Sequence, residues 1–493
     1  MTDTHNYDIA IIGAGPGGYS TALRAAQLGK SVVLIEKNPY PGGVCLHEGC
    51  VPSKALLTAA HIIHDSARAE VMGLSLPLQS IDLGKLVDYK EGVVDQMTKG
   101  LESLLRKRKV TTITGTASLS SDRTITVETT DGDTISVTAS DIVLATGSRP
   151  RHLPGSPFAK NAILSSQDAL NLRQIPQSVV IIGSGPIGLE FATLWNSAGA
   201  TVTVLEAAER ILPSATARIS ATVTRNLKRA GITFATNVVI DSLDESANQA
   251  ATVRYHDGSA VQEGSASDGD SDATVPETIT VTAQFALVAI GRIPNTDAPW
   301  FSETGVALDE RGLVRTDPYG RTSVPGIWAL GDITPGKQLA HRAFAQGIVV
   351  AESIAGLATE PVDDHNVPAV TFALTEVGSV GYTRDEAEEN PDFNDVEETT
   401  LPMLGNARVV MSGESGSVTI VSGTTSSNPD VPVVLGVQMA GPGVSEFTAE
   451  AQQLVGNRIP LHEAARLVHP HPTLSETLGE ALLSADGRPL HSR

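Results

Sequence analysis

Cysteine is the rarest residue of this chain: there are two among 493 residues. That excludes a small secreted fold stapled by several disulfides. Aromatic residues make up 4%, which does not suit an interleaved base-stacking surface. Basic residues are outnumbered, 35 Lys and Arg against 56 Asp and Glu, for a net charge of −21. That balance argues against nucleic acid or an anionic membrane as the main partner. No apolar run approaches the ~20 residues of a membrane span. The opening residues MTDTHNYD lack the basic start and apolar core of a signal peptide. A cytoplasmic protein whose cysteines do chemistry is expected. The length calls for about two to four domains.

Both cysteines fall in one stretch, Gly42-Gly43-Val44-Cys45-Leu46-His47-Glu48-Gly49-Cys50-Val51-Pro52-Ser53-Lys54. On a regular helix, residues five apart have Cα atoms roughly 8.6 Å apart. A disulfide tolerates at most about 7 Å. The backbone must therefore leave ideal helix between Cys45 and Cys50, and Gly49 allows it. Pro52 suits a first helical turn, which puts Cys50 near a helix N-terminus, where the dipole favours a thiolate. The pair reads as a working dithiol. Two reduced, buried cysteines are the plain alternative. A zinc site with His469 and His471 is another, but the paired short spacings of structural zinc sites are missing, and no metal is expected.

Residues 7–36 read as strand, glycine turn, helix and strand. Ile9 to Ile12 form a continuous apolar run of the kind found in buried parallel strands. Gly13, Gly15 and Gly18 supply G-x-G-x-x-G, and Glu36 follows at the end of the second strand. In such a unit the first glycine makes the turn and the second admits a pyrophosphate. The third lets helix and strand pack closely, and the acid binds ribose hydroxyls. The unit recurs: Gly183, Gly185, Gly188 and Glu206 each lie 170 positions after their counterparts. Two dinucleotides are expected. No basic cluster directly follows Glu206, so NAD is favoured over NADP, with Arg210 the nearest dissenting residue.

Helices are expected over about 55–70, 84–109 and 338–356, with short antiparallel strands over 111–139. DIVLATGSRP places a buried strand ahead of Gly147. A second strand leads to Gly291, and GIWALGD ends a third at Asp332. The Ser, Asp and Gly-rich stretch 241–278 reads as a long, mobile hairpin loop. Beyond 365 the pattern becomes α+β, with strand-like pieces at 369–374, 408–411, 417–422 and 433–440. Helical pieces are expected at 444–456, 461–467 and 473–484. The expected architecture is α/β: two Rossmann-like dinucleotide-binding domains (1–150 and 151–291), a segment 292–356 completing the first site, and a C-terminal α+β domain, 357–493.

With these pieces assembled, the chain resembles the dihydrolipoyl dehydrogenase family of flavin-disulfide reductases, the E3 components of 2-oxo acid dehydrogenase complexes. The resemblance spans essentially the whole length. It rests on GGVCLHEGCVPSKALL, both glycine fingerprints, ATGSRP, AIGRIPNT, GIWALGD and the terminal HPHPTLSE.

The resemblance implies FAD on the first fingerprint and NAD on the second, with the Gly147 and Gly291 turns and Asp332 at the cofactor sites. Cys45 would be the interchange thiol that meets the substrate, and Cys50 the thiol against the flavin. Lys54 would lie near the flavin and pair with Glu190. His471 would be the general base, oriented by Glu476, reaching across a homodimer interface into the other subunit's site. The partner would be a lipoyl domain on an E2 component or the lipoyl protein of glycine cleavage. Another FAD-dependent disulfide reductase, acting on glutathione-like or mercuric substrates, is the alternative. The chain departs from the family pattern at His47 and Glu48, at Phe344-Ala345-Gln346 and at Thr375.

Overall fold

The computed structural model describes residues 4–159, 161–246, 248–259 and 277–491. The chain divides into two compact units. The first contains Met1–Ala55, Lys85–Pro150 and Arg292–Asp364; the second contains Leu56–Gly84, Arg151–Gly291 and His365–Arg493.

The first unit is built on β1 (Thr4–Ile12), α1 (Pro16–Gln27) and β2 (Val32–Glu36). β1 lies parallel between β2 and the strand Thr134–Leu144, which in turn pairs parallel with Ile327–Ala329. Both faces of this sheet are covered. Ile9 and Ile11 pack into one cluster with Val32 and Leu34, while Ala10 and Ile12 pack into another with Val33 and Ile35. That double burial is why the strands read as unbroken apolar runs. The strands Thr111–Leu119, Ile125–Thr129 and Thr134–Leu144 form an antiparallel extension of the same sheet. Residues from 292 onward rejoin this unit through Ile327–Ala329.

The cysteine-bearing segment folds as two helices, α2 (Gly43–His47) and α3 (Cys50–Arg68). The break falls at Glu48 and Gly49, with Glu48 at φ −139°, outside helical space. Cys50 opens the longer helix, as expected. The second expected helix is Leu83–Lys107.

In the second unit, the strands Thr233–Ala235, Thr201–Leu205, Ser178–Ile182, Phe285–Val288 and Ile163–Leu164 form a parallel sheet in that order. The helix Pro186–Ser197 follows its central strand. The stretch expected as a loop over 241–278 is corrected in part: Val238–Glu245 and Ala251–Asp257 are antiparallel strands. Their polar composition hid an alternation that buries Leu243, Ala251, Val253 and Tyr255. The most Ser and Asp-rich part of that expectation, 260–276, lies outside the described residues.

The C-terminal part forms a five-stranded antiparallel sheet ordered Ala369–Thr371, Val377–Gly381, Asn428–Ala440, Ser417–Thr425 and Phe393–Pro402. The helices Val444–Gly456 and Glu476–Ala485 contribute Phe447, Leu454, Leu478 and Leu482 to one core with this sheet. Two expectations fail here. Residues 408–411 are not a strand: Ala407–Ser412 is a helix, opened by the Asn406 cap and closed by Gly413 in left-handed conformation. Conversely, Phe393–Pro402 is a strand that the pattern did not show. It is an edge strand, and its acidic residues are what keep such an edge from pairing further.

Candidate active site

In the first unit the three fingerprint glycines have different reasons to be glycine. A Cβ at Gly13 would come 2.2 Å from the Ala145 carbonyl oxygen, and one at Gly18 would come 1.8 Å from the Gly13 carbonyl oxygen. Those two permit protein packing. At Gly15 the nearest such atom is the Gly43 Cα at 4.0 Å. Packing leaves room for a side chain there, so the open face fits the close approach of a ligand. Gly15 is also the N-cap of α1, whose first-turn N–H groups suit a phosphate. The Glu36 carboxylate accepts hydrogen bonds from the Ala14 N–H at 2.8 Å and the Asn38 N–H at 3.0 Å. A cavity of about 280 Å³ opens beside it, lined by Tyr40, Glu102, Arg106 and Thr112 among others. Glu36 is itself part of that lining.

The cysteine-bearing segment sits directly on this turn. The Gly42 N–H donates to the Ala14 carbonyl at 2.8 Å, and a Cβ on Gly43 would fall 2.6 Å from the Gly15 Cα. The two cysteines are unbridged, Cys50 exposed and Cys45 less so. Their side chains hydrogen-bond. That bond, burial and the Cys50 charge all push the Cys45 thiol up, with Asp332 adding to the effect and Lys54 opposing it. Two adjacent sulfurs cannot both ionise cheaply. Cys50, more exposed and at the start of a long helix, is the one suited to carry the negative charge. Tyr19, half-buried near both sulfurs, has its hydroxyl pushed up to about 12, chiefly by desolvation.

Asp332 lies in a short turn after Ile327–Ala329 and accepts a hydrogen bond from the Ser148 hydroxyl. Arg292 donates through Nε to Ser148 Oγ at 2.6 Å and through Nη2 to the Ser148 carbonyl at 2.7 Å. Its Nε stands 3.8 Å from Asp332. Burial lowers the Arg292 guanidinium's proton affinity, while Asp332, Cys50 and Glu48 counteract this. The carboxylate of Glu48 is thus answered by a cation in the same unit. Gly147, beside this cluster, is glycine for its φ of +69°. Arg292 and Ser148 were not singled out from sequence, although both lie inside quoted motifs. Gln346, where the family pattern has an acid, still accepts the Gly331 N–H at 2.9 Å.

The second unit repeats the fingerprint geometry. A Cβ at Gly188 would meet the Gly183 carbonyl oxygen at 2.0 Å, whereas one at Gly185 would meet nothing within 4 Å. Glu206 is buried; it accepts from the Ser184 N–H at 2.8 Å, the Ser184 hydroxyl at 2.6 Å and the Ala208 N–H at 2.8 Å. Gly291 has φ +111°, and its carbonyl accepts the Arg151 N–H. Glu190, on the helix Pro186–Ser197 and 6% exposed, accepts the Phe372 N–H at 3.2 Å. Both second glycines thus leave the open cradle that a dinucleotide requires.

In the C-terminal part, His471 Nδ1 lies 2.8 Å from Glu476 Oε2. The histidine side chain is 77% exposed and the glutamate's 17%. The pair joins a turn to the first residue of the helix Glu476–Ala485, whose Glu476 N–H is met by Thr473 Oγ1 at 3.3 Å. His469 is a structural neighbour: its Nε2 meets Glu450 at 2.7 Å, its ring lies over Gly479, and the Glu450 bond raises its proton affinity. Among the described residues, no group of three or more His, Cys, Asp or Glu side chains could hold a metal ion. Among them, too, no helix is long and apolar enough to cross a membrane.

Residues 7–347 match the pyridine nucleotide-disulphide oxidoreductase family, and residues 367–482 match that family's dimerisation domain. The chain is 37% identical over 483 residues to the dihydrolipoyl dehydrogenase of Geobacillus stearothermophilus, covering 98% of this chain and 96% of that one. It is 38% identical over 490 residues to the dihydrolipoyl dehydrogenase of Halobacterium salinarum, covering 98% and 97%. The crystal structure of LpdA from Mycobacterium tuberculosis superposes with a TM-score of 0.85 at 25% identity, covering 98% of this chain and 99% of that one. The dimerisation-domain match supports a homodimer. The chain belongs to the pyridine nucleotide-disulphide oxidoreductase family, a mixed α/β fold that uses FAD and NAD.

Proposed function

We infer that this protein is a dihydrolipoyl dehydrogenase: it oxidises protein-bound dihydrolipoamide to lipoamide and reduces NAD to NADH. One observation carries the reading most. The only two cysteines lie side by side on a segment hydrogen-bonded to the first dinucleotide turn. A dithiol held there suits two-electron exchange with a bound flavin.

The steps assigned to the chain's residues are these. His471 takes a proton from one substrate thiol through Nε2, with Glu476 holding Nδ1–H and stabilising the imidazolium. A free thiol near pKa 8.5 is mostly protonated at neutral pH, so a base is required. The substrate thiolate attacks Cys45 of the Cys45–Cys50 disulfide, forming a mixed disulfide and releasing Cys50 as thiolate. The second substrate thiol, losing its proton, displaces Cys45; lipoamide leaves with a new S–S bond and Cys45 leaves as a thiol. A bound FAD would supply the two-electron redox chemistry between the Cys45–Cys50 pair and NAD, so that the disulfide is regenerated. Gly13, Gly15, Gly18, Glu36, Gly147 and Asp332 would hold FAD, with Lys54 beside the dithiol. Gly183, Gly185, Gly188, Glu190, Glu206 and Gly291 would serve the NAD side.

His471 of one protomer would serve the dithiol of the other. The electron donor would be the lipoyl domain of an E2 component or the glycine-cleavage lipoyl protein. Two cysteines, both assigned to catalysis, suit a reducing cytoplasm. The test is turnover of purified holoenzyme with dihydrolipoamide and NAD against oxidised glutathione with NADH or NADPH. NADH formation from dihydrolipoamide alone is expected; preferential glutathione reduction would replace this reading with the other disulfide reductase.

A further inference from the structure

We propose that Asn406 is a positioning residue for His471, acting through Glu476; the inference rests on the reading of His471 as the base. Asn406 was not visible from sequence, since the segment it opens reads as a strand. In the structure its amide is 8% exposed and fully engaged. Oδ1 accepts the N–H groups of Arg408 at 2.8 Å and Val409 at 3.2 Å, capping the helix Ala407–Ser412. Two backbone donors on Oδ1 settle which way the amide faces. Nδ2 must point the other way. There its two hydrogens serve three acceptors, the Thr473 carbonyl at 2.8 Å, Thr477 Oγ1 at 2.9 Å and Glu476 Oε1 at 3.2 Å, so one hydrogen is shared.

The Glu476 carboxylate is therefore held at both oxygens. Oε1 takes the buried amide donor and Oε2 takes His471 Nδ1 at 2.8 Å. The same amide fixes the Thr473 carbonyl, two residues from His471 in the connecting turn. Imidazole orientation is set by whatever its second nitrogen bonds, and a carboxylate is only as well placed as its own partners make it. With Glu476 fixed, Nδ1 stays the N–H and Nε2 carries the basic lone pair. The other titratable groups nearby are His469, whose charge interacts with Glu476, and Glu450, which binds His469.

Asn406→Ser separates capping from positioning. Serine caps a helix about as well as asparagine, but its single hydroxyl cannot serve the cap and reach Glu476. In the full-length holoenzyme, Asn406→Ser should lower kcat for dihydrolipoamide by about 5–30-fold with KM little changed. The acid limb of the pH profile should move, a readout that a loss of stability alone would leave in place. The melting temperature should stay close to the parent's. An unchanged pH profile in a folded Asn406→Ser protein would overturn the proposal. If Asn406→Ser does not fold, Asn406→Asp decides. It keeps the cap but turns an acceptor toward Glu476, and a parental pH profile in that variant would equally overturn it. His471→Gln runs alongside. Near-normal turnover there sinks the base assignment itself, whereas a dead His471→Gln with a parental Asn406→Ser sinks only the role of Asn406.

Discussion

Replacing Gly185 by alanine should separate ligand binding from folding. Gly185 has φ −69° and ψ −178°, a backbone that alanine adopts freely. Its Cβ would meet no protein atom within 4 Å. Folding should not notice the change. A bound pyrophosphate would notice, because the methyl group enters the space over the N-terminus of the helix Pro186–Ser197. Losing one hydrogen bond to a charged phosphate costs about 1.5–3 kcal/mol. At 1.4 kcal/mol per tenfold, NADH affinity should fall ~10–150-fold. Gly188→Ala is the contrasting variant. Its Cβ would sit 2.0 Å from the Gly183 carbonyl oxygen and 3.4 Å from Ile181 Cγ2. Overpacking of that kind costs about 1–3 kcal/mol, which lowers melting by ~2–12 °C. Calorimetric titration with NADH and thermal melts followed by circular dichroism read the two effects. Parental NADH affinity in Gly185→Ala, or a melting loss matching that of Gly188→Ala, would refute the division of labour between these glycines.

Cys45→Ser and Cys50→Ser should each abolish NADH formation from dihydrolipoamide while the protein still retains its yellow flavin; residual turnover in either, measured at 340 nm, would remove the dithiol from the pathway. Mixing Cys45→Ser with His471→Gln chains should restore about one quarter of parental turnover after subunit exchange, since half the dimers are mixed and each has one intact site. No recovery, with exchange verified, would place base and dithiol in one chain. Burial holds the Glu414 carboxyl up at about 7, with Arg68 opposing and Asp65 and Glu376 reinforcing. The folded state then binds more protons than the unfolded state, whose value is near 4.5. This stabilising contribution is full below that value and lost as pH rises through about 7. Glu414→Gln should therefore flatten the fall in melting temperature between about pH 4.5 and 7. A slope identical to the parent's would show that this carboxyl titrates normally.

Much of the site was legible because its chemistry is local. A glycine turn is read over six residues, and its packing logic follows from the missing Cβ. The dithiol was legible because its spacing forbids a regular helix, and the break at Glu48 and Gly49 is where that argument puts it. Resemblance supplied what spacing could not, the pairing of His471 with Glu476. Their 2.8 Å contact is then the geometric counterpart of that expectation.

Glu206 shows the limit of reading an acid by position alone. Sequence places it to receive ribose hydroxyls, yet the structure shows three of its acceptor positions filled by Ser184 and Ala208. It therefore shapes the turn. Glu206→Arg would bury a cation among donors and test stability before cofactor preference.

The sequence by itself determined the two dinucleotide units, the paired cysteines and the buried parallel strands, since each depends on neighbours within a few residues of chain. Tertiary structure alone decided the rest. It brought Arg292 to Ser148 across 144 positions and the Asn406 amide to Glu476 across 70. It also turned the valine-bearing segment at 407–412 into a helix. The physical reason is common to all three. A buried donor or an amphipathic strip is satisfied by whatever partner the folded chain delivers, and that partner leaves no periodic trace beside it in sequence.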